Sequence, residues 1–377
     1  MDLEKEIMNA AYDFGEKYIK PYEKDIELKG KFVKEIFSDL GTHGFIALPF
    51  PKEYGGLNKS FTIYAKVAII LSQYSGTLAG VLGAHSLATF SILLGGNKEQ
   101  KEAYLPDLIK GRKIGSFALT EPNAGSDPSS IETEASKEGD SYVLDGTKAF
   151  TTNAGLSDIY VIMAKTDKNR GARGISAFLV HKNDKNFTIG GQEKKMAFPG
   201  LPNASLLLNN VKIPKERLLG REGIGFIIAM KTLDIGRISA AAAATGLAKN
   251  AFAEALEYSK QRKQSGKSIY SFEMIQSYLA EMATKIRASE LIVLDAARAA
   301  DERRKDLSKL AAMAKYFASD TATRVTRLAV QIFGGYGFIK DYAVERLYRQ
   351  AKMYEIIEGT TEIQKIIIAN SLIKESK

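Results

Sequence analysis

The chain has no cysteine and no tryptophan, and it has only three histidines among 377 residues. Without cysteine there is no disulfide, no thiol nucleophile and no thiolate-held zinc or iron–sulfur site. That fits a reducing compartment, and a cytoplasmic protein is expected. His43, His85 and His181 form no HxxxH pair, so no histidine metal site is expected. No uninterrupted apolar run approaches the roughly 18 residues of a membrane span. The opening stretch MDLEKEIMNAAYDFGEKYI lacks a basic segment followed by an apolar one, so no secretory signal is expected.

What is present describes an ordinary globular chain long enough for two or three domains: 45% hydrophobic and 26% charged residues. The net charge is +9, but basic residues alternate with acidic ones. A solvated lysine-rich surface explains this better than a nucleic-acid face, though the field would favour a phosphate-bearing ligand.

Three textures follow one another. Residues 1–113 carry helical periodicity, as in Ile63, Val67, Ile70 and Leu71, broken by Leu48-Pro49-Phe50-Pro51 and Tyr54-Gly55-Gly56. Residues 114–221 hold short β-rich runs at 114–119, 142–144, 159–164, 175–180 and 206–208, as in an antiparallel sandwich or barrel. No helix separates these runs, which argues against a dinucleotide-binding βαβ unit. From 222 to 377 long helices return, with stripes through Met274, Ile275, Tyr278, Leu279 and Met282, and through Leu310, Ala314, Phe317, Ala318 and Val325. Such stripes imply a bundle.

The segment YEIIEGTTEIQ, 354–364, is the most informative. It puts Glu358 before Gly359-Thr360 where one helix ends and another begins. Glycine there lets the backbone approach a ligand, and a carboxylate in poor solvation can accept a proton. An acid simply capping an exposed helix is the alternative. A second stretch, FALTEPNAGSD (117–127), ends a strand in a loop able to hydrogen-bond a heterocycle or phosphate, or to serve as a plain turn. A third, KAFTTN (148–153), sets an aromatic ring beside two hydroxyls. The glycines of QIFGGYGF follow a helix instead of a strand, so no dinucleotide loop is read there. RKQSGK (262–267) is a basic connection suited to a pyrophosphate or to solvent.

Taken together and in order, LPFPKEYGG, FALTEPNAGSD, GTKAFTTNAG, RKQSGK, QIFGGYGF and IIEGTTEIQ resemble the acyl-CoA dehydrogenase family over essentially the whole chain. The resemblance implies a mainly α fold with a central β-domain: an N-terminal helical domain, a β-sandwich or barrel, and a C-terminal four-helix bundle. It also implies α,β-dehydrogenation of an acyl-CoA thioester. FAD would be bound non-covalently between the β-domain and the bundle, electrons would pass to an electron-transferring flavoprotein, and the assembly would be a homotetramer or dimer.

By motif position, Glu358 would be the base that removes the α-proton, and the flavin N5 would receive the β-hydride. A positioned base supplies roughly 10²–10⁴-fold, and polarisation of the thioester carbonyl much of the rest. Phe117, Leu119, Thr120, Gly125, Ser126, Phe150, Thr151 and Thr152 would line the flavin. Arg262, Gln264 and Phe272 would hold its pyrophosphate and adenosine side, with Gln331, Gly334 and Gly335 donated from a neighbouring subunit. Thr360 and Glu362 would flank the adenine. Ser126, Asp234, Arg237, Glu358 and Gly359 would contact the thioester ligand. One branch of the family carries its base just before the arginine of LDIGR; here that position is Gly236, which leaves Glu358.

Phe150 stands in place of a frequent tryptophan, Ser265 of a phenylalanine, Glu273 of a glutamine and Gln350 of an aspartate. GSDPSSIET is similar to the glutaryl-CoA dehydrogenase branch. The arginine that holds a distal carboxylate in that branch is matched here by Leu78, so a neutral acyl group, short, branched or cyclic, is expected. Two alternatives are a flavin oxidase or monooxygenase of the same superfamily and a non-catalytic CoA-binding protein.

Overall fold

The computed structural model describes residues 3–376. Helices come first: α1 (Leu3–Phe14) runs through a π-turn (Gly15–Ile19) into α2 (Lys20–Lys29), then α3 (Lys34–Thr42), α4 (Phe61–Tyr74), α5 (Gly76–Gly95) and α6 (Lys98–Ile109). Serines set two of the starts. Ser60 accepts the Ile63 N–H at 3.2 Å to cap α4, and Ser75, the one residue between α4 and α5, accepts the Leu78 N–H at 3.1 Å.

Eight strands follow: β1 (Gly115–Ala118), β2 (Glu134–Glu138), β3 (Ser141–Thr152), β4 (Ile159–Lys165), β5 (Ile175–His181), β6 (Phe187–Gln192), β7 (Asn203–Pro214) and β8 (Leu218–Leu219). They form one sheet in the order β6-β7-β3-β2-β4-β5-β8, with β1 also on β4. The sheet is not wholly antiparallel. β1 runs parallel to β4, and β2 meets β4 through the parallel pair Glu134–Lys165, because the β2–β3 hairpin intervenes before the chain returns to β4.

β4 reads as an unbroken apolar run and β5 as one interrupted only by Ser176, because both faces are covered. Ile159, Val161, Met163, Ile175, Ala177 and Leu179 join the core shared with the helices, whereas Tyr160, Ile162, Ala164, Phe178 and Val180 face a second core inside the β-region. The sequence pattern missed β2, β6 and β8. β2, for example, buries only Ala135 on an otherwise charged or exposed strand.

The C-terminal part comprises α7 (Gly225–Gln261), a hairpin of β9 (Lys263–Gln264) and β10 (Lys267–Ser268), α8 (Glu273–Asp301), α9 (Leu307–Phe333), α10 (Ala343–Tyr354) and α11 (Thr361–Glu375). α7 to α10 pack as a bundle and α11 lies along α9. α7 is the spine, with Ala240 to Ala244 all buried, and α4 and α5 of the N-terminal part also pack on it.

α5 corrects one expectation. Over an 18-residue window of its 20 residues, its mean hydropathy of 1.6 is that of a helix able to cross a membrane, by length and composition alone. Glycines, serines and threonines interrupt its apolar run, so counting uninterrupted residues missed it. In the structure it is a core helix packed against α7 and β1.

Candidate active site

α10 ends at Tyr354, and the next residues fold into a tight turn before α11. Glu358 takes a left-handed conformation, φ 56°, followed by Gly359 at φ 88°. Only glycine adopts that region freely, so a glutamate there is held by its surroundings. Thr360 caps α11 by accepting the Ile363 N–H at 3.4 Å. Gln364, fully buried on the first turn of α11, donates from Nε2 to the Glu358 carbonyl at 3.1 Å and the Gly359 carbonyl at 2.9 Å. Lys315, buried on α9, donates from Nζ to the same Gly359 carbonyl at 2.7 Å.

The Glu358 side chain turns inward, against α7. A Cβ built on Gly236 would stand 2.8 Å from Glu358 Oε2 and 2.7 Å from the end of Leu87 on α5. That oxygen is buried and has no hydrogen-bond partner among the described residues. Burial pushes the Glu358 carboxyl up to about 7, against the opposing pull of Arg237 and Lys315. Burial likewise pushes the Lys315 ammonium down to about 8. Arg237, 5% exposed, donates to Asp234 Oδ1 at 2.5 Å, while its Nε is buried without a partner among the described residues. The structure thus gathers Glu358, Gly359, Arg237 and Asp234 around the α7 spine. Its chemistry is that of a near-neutral carboxylate able to take or give a proton.

The loop and strand residues gather separately. β3 and β7 slip register between Lys148 and Thr151, and the bulge presents Phe150 at φ 53° with 65% of its surface exposed. Asn203 Nδ2 holds the bulge, donating to the Phe150 carbonyl at 2.9 Å and Thr152 Oγ1 at 3.3 Å. Opposite runs the 120–126 loop, tied to β3 by the Ala149 N–H on the Thr120 carbonyl at 2.9 Å. Lys148, buried, pairs with Glu121 at 2.6 Å; Glu121 also accepts the Glu132 and Thr133 N–H groups. Burial pushes Lys148 down to about 8. Phe117 and Thr120 are half-buried, Leu119 is buried, and Gly125 and Ser126 are exposed.

Asn153, just past the bulge, donates to the Val81 carbonyl of α5 at 2.9 Å. Leu87 lies six residues on, about 9 Å along the same helix, beside Gly236 and Glu358. α5 therefore carries both groups. A third group surrounds the β9–β10 hairpin, whose turn is Ser265-Gly266, both left-handed. The sequence pattern saw only a basic connection there. Arg262 sits over the Tyr336 ring at 5.6 Å, and Lys267 over Phe272 at 4.6 Å. Arg262, Gln264, Gln331, Gly334 and Gly335 are exposed, as is Glu362, whereas Thr360 is half-buried.

Lys315, Gln364, the Lys148–Glu121 pair and Asn203 escaped the sequence reading. A lysine inside an otherwise apolar helical stripe, as in AAMAKYFA, was the one available signal for Lys315.

Three family models cover nearly the whole chain: "Acyl-CoA dehydrogenase, N-terminal domain" over residues 1–112, the middle domain over 116–211 and the C-terminal domain over 223–373. The chain belongs to the acyl-CoA dehydrogenase family. It is accordingly a flavoprotein oxidoreductase with FAD as cofactor. Among its relatives, a 3-(aryl)acrylate reductase of Clostridium sporogenes is 43% identical over 98% of each chain. A caffeyl-CoA reductase-Etf complex subunit of Acetobacterium woodii is 42% identical, again over 98% of each. The solved butyryl-CoA dehydrogenase of Megasphaera elsdenii superposes with a TM-score of 0.96 at 42% identity, over 99% of this chain and 98% of that one.

The residues present fit such a cofactor. Thr151 Oγ1 is buried without a partner among the described residues, the Phe150 ring lies bare beside it, and nothing stands within 4 Å of a Cβ built on Gly125, Gly334 or Gly335.

Proposed function

We propose that this acyl-CoA dehydrogenase desaturates a short, neutral acyl-CoA thioester between Cα and Cβ, with Glu358 as the base that removes the α-proton. The observation that carries the reading is the Glu358 carboxylate itself. One of its oxygens, on a left-handed turn, is buried and unpartnered among the described residues, and burial raises the carboxyl to about 7. A base poised near the working pH accepts a proton without holding it too tightly to release it. Arg237 and Lys315 oppose the burial and keep the carboxylate available.

FAD, when bound, supplies the acceptor for the hydride leaving Cβ. Phe117, Leu119, Thr120, Gly125, Ser126, Phe150, Thr151 and Thr152 would hold it from the β-domain. Arg262, Gln264, Phe272, Thr360 and Glu362 would do so from the C-terminal domain, and Gln331, Gly334 and Gly335 from a second copy in a homotetramer or dimer. Ser126, Asp234, Arg237 and Gly359 would meet the thioester ligand. The working domain limits are 1–113, 114–221 and 222–377.

The uncharged lining of a small gap of about 20 Å³, room for about one water molecule, supports the acyl class. Tyr64, Leu71, Leu78, Leu82, Gly83 and Ser239 line it, one helical turn from Leu87 and Gly236, and its lining includes no charged residue. A distal carboxylate there would lack a cation.

The names of two relatives favour a second reading for direction and partner: reduction of a 2-enoyl-CoA, with electrons exchanged with an electron-transferring flavoprotein. By microscopic reversibility the protonated Glu358 then delivers its proton to Cα.

The test is an anaerobic titration of the FAD-loaded protein with a panel of acyl-CoA esters, following loss of the flavin absorbance. Glu358→Gln is expected to retain FAD and lose the bleaching; retained turnover in that variant overturns the assignment.

A further inference from the structure

A lysine ammonium is expensive to bury, and one glycine carbonyl is a small return for it. Lys315 is nevertheless 1% exposed, reaching from α9 to the turn that carries Glu358. The charged groups facing it come from every neighbouring element: Glu355 and Glu358 on the turn, Glu362 on α11 and Arg237 on α7. The Gly359 carbonyl it binds also accepts from Gln364. Two buried donors on one carbonyl, next to a glutamate in a left-handed conformation, over-determine a backbone that would otherwise relax.

We propose that Lys315 is the positioning residue of the base. It pins the Glu358–Gly359 turn through the Gly359 carbonyl and, together with Arg237, keeps the buried Glu358 carboxylate ionised for proton transfer. The inference rests on Glu358 being the base. It divides the turn's support in two: Gln364 supplies geometry alone, whereas Lys315 supplies geometry and charge.

The experiment compares FAD-loaded wild type, Lys315→Met, Lys315→Gln, Gln364→Met and Glu358→Gln. The rate of anaerobic bleaching by butyryl-CoA is measured across pH, with amide hydrogen exchange of residues 355–364 in the same proteins without substrate. Removing a neighbouring cation raises a carboxyl's proton affinity, so in Lys315→Met the acid limb moves up by about one pH unit and the rate at pH 7 falls roughly fivefold. Gln364→Met slows bleaching and speeds exchange with its acid limb unmoved. Lys315→Gln keeps a donor but not the charge, so its limb moves while exchange stays near wild type; it carries the test if the methionine variant does not fold. An unmoved limb in both lysine variants overturns the proposal. Bleaching by Glu358→Gln overturns the base assignment itself, whatever the lysine variants do.

Discussion

Gly236 offers the sharpest separation of folding from chemistry. A methyl group there would lie 2.8 Å from Glu358 Oε2 and 2.7 Å from Leu87 Cδ2, where ordinary contact begins near 3.4 Å. Both neighbours are side-chain ends, so the backbone of α7 can stay and the carboxylate must withdraw by about 0.6 Å. Two stability effects then oppose each other. Alanine in a helix interior gains about 1 kcal/mol over glycine, and an extra methyl in a packed site costs about 1–3 kcal/mol. Gly236→Ala is therefore expected to melt within a few degrees of wild type and to bind FAD. Catalysis has no such offset, since misplacing a reacting group by about 1 Å costs on the order of 10²-fold. Bleaching at saturating acyl-CoA should slow by roughly 10–100-fold. Stopped-flow bleaching under nitrogen, beside a melting curve, measures both. Wild-type bleaching by a folded Gly236→Ala protein would refute the placement of the base against α7.

Three further outcomes are expected. The Glu358 carboxyl is raised from 4.5 to about 7, so it stabilises the fold fully below pH 4.5 and loses that contribution as pH rises through 7. Glu358→Gln should thus melt like wild type near pH 4.5 and be more stable above pH 7 by roughly 1–3 kcal/mol, a difference read by thermal denaturation across pH. Lys148→Met leaves Glu121 buried and unpaired and should cost about 3–5 kcal/mol and weaken FAD binding, with the double variant Lys148→Met/Glu121→Gln recovering most of it in a double-mutant cycle. Gly83→Ala, where the added methyl meets nothing within 4 Å, should raise stability by up to about 1 kcal/mol while shifting preference toward shorter acyl-CoA esters in the titration.

The order of helices, strands and helices was legible because apolar spacing differs so plainly between them. β4 and β5 declared themselves as runs of valine, isoleucine and aromatic residues buried on both faces. β2 did not, because one buried alanine on a charged strand makes no alternation. The turn holding Glu358 was legible as a break before Gly-Thr. Its contact with Gly236 was not, since 122 residues of chain separate the two and only packing joins them. The hairpin of β9 and β10 was hidden for a different reason. Its Ser265-Gly266 turn departs from the Asn-Gly or Asp-Gly pair that would have announced it.

The strained backbone follows the same logic. Most residues in the left-handed region here are glycines or asparagines, which need no explanation. Phe150, Phe198, Ser265, Arg303 and Glu358 are neither; Ser265 and Arg303 lie on exposed turns, and each of the five forfeits about 1–2 kcal/mol relative to a relaxed conformation. Phe150 stands at the β3 bulge and Glu358 on the turn over α7, while Phe198 packs edge-on against Tyr354 at the end of α10, 6.0 Å between ring centroids. Such conformations persist only where surrounding groups leave no alternative. Around Phe150 and Glu358 the groups found are polar: half-buried Asn203 beneath the bulge and, buried, Lys148 with Glu121 behind the adjoining loop and Lys315 with Gln364 under the turn. An apolar core rarely fixes a single backbone torsion, because hydrophobic contact is non-directional, whereas a buried donor with one acceptor in reach is directional and costly to leave unmade. The helices and sheet are therefore specified by apolar pattern and the site by scattered buried polar residues, and substitutions at the latter should impair chemistry out of proportion to their effect on folding.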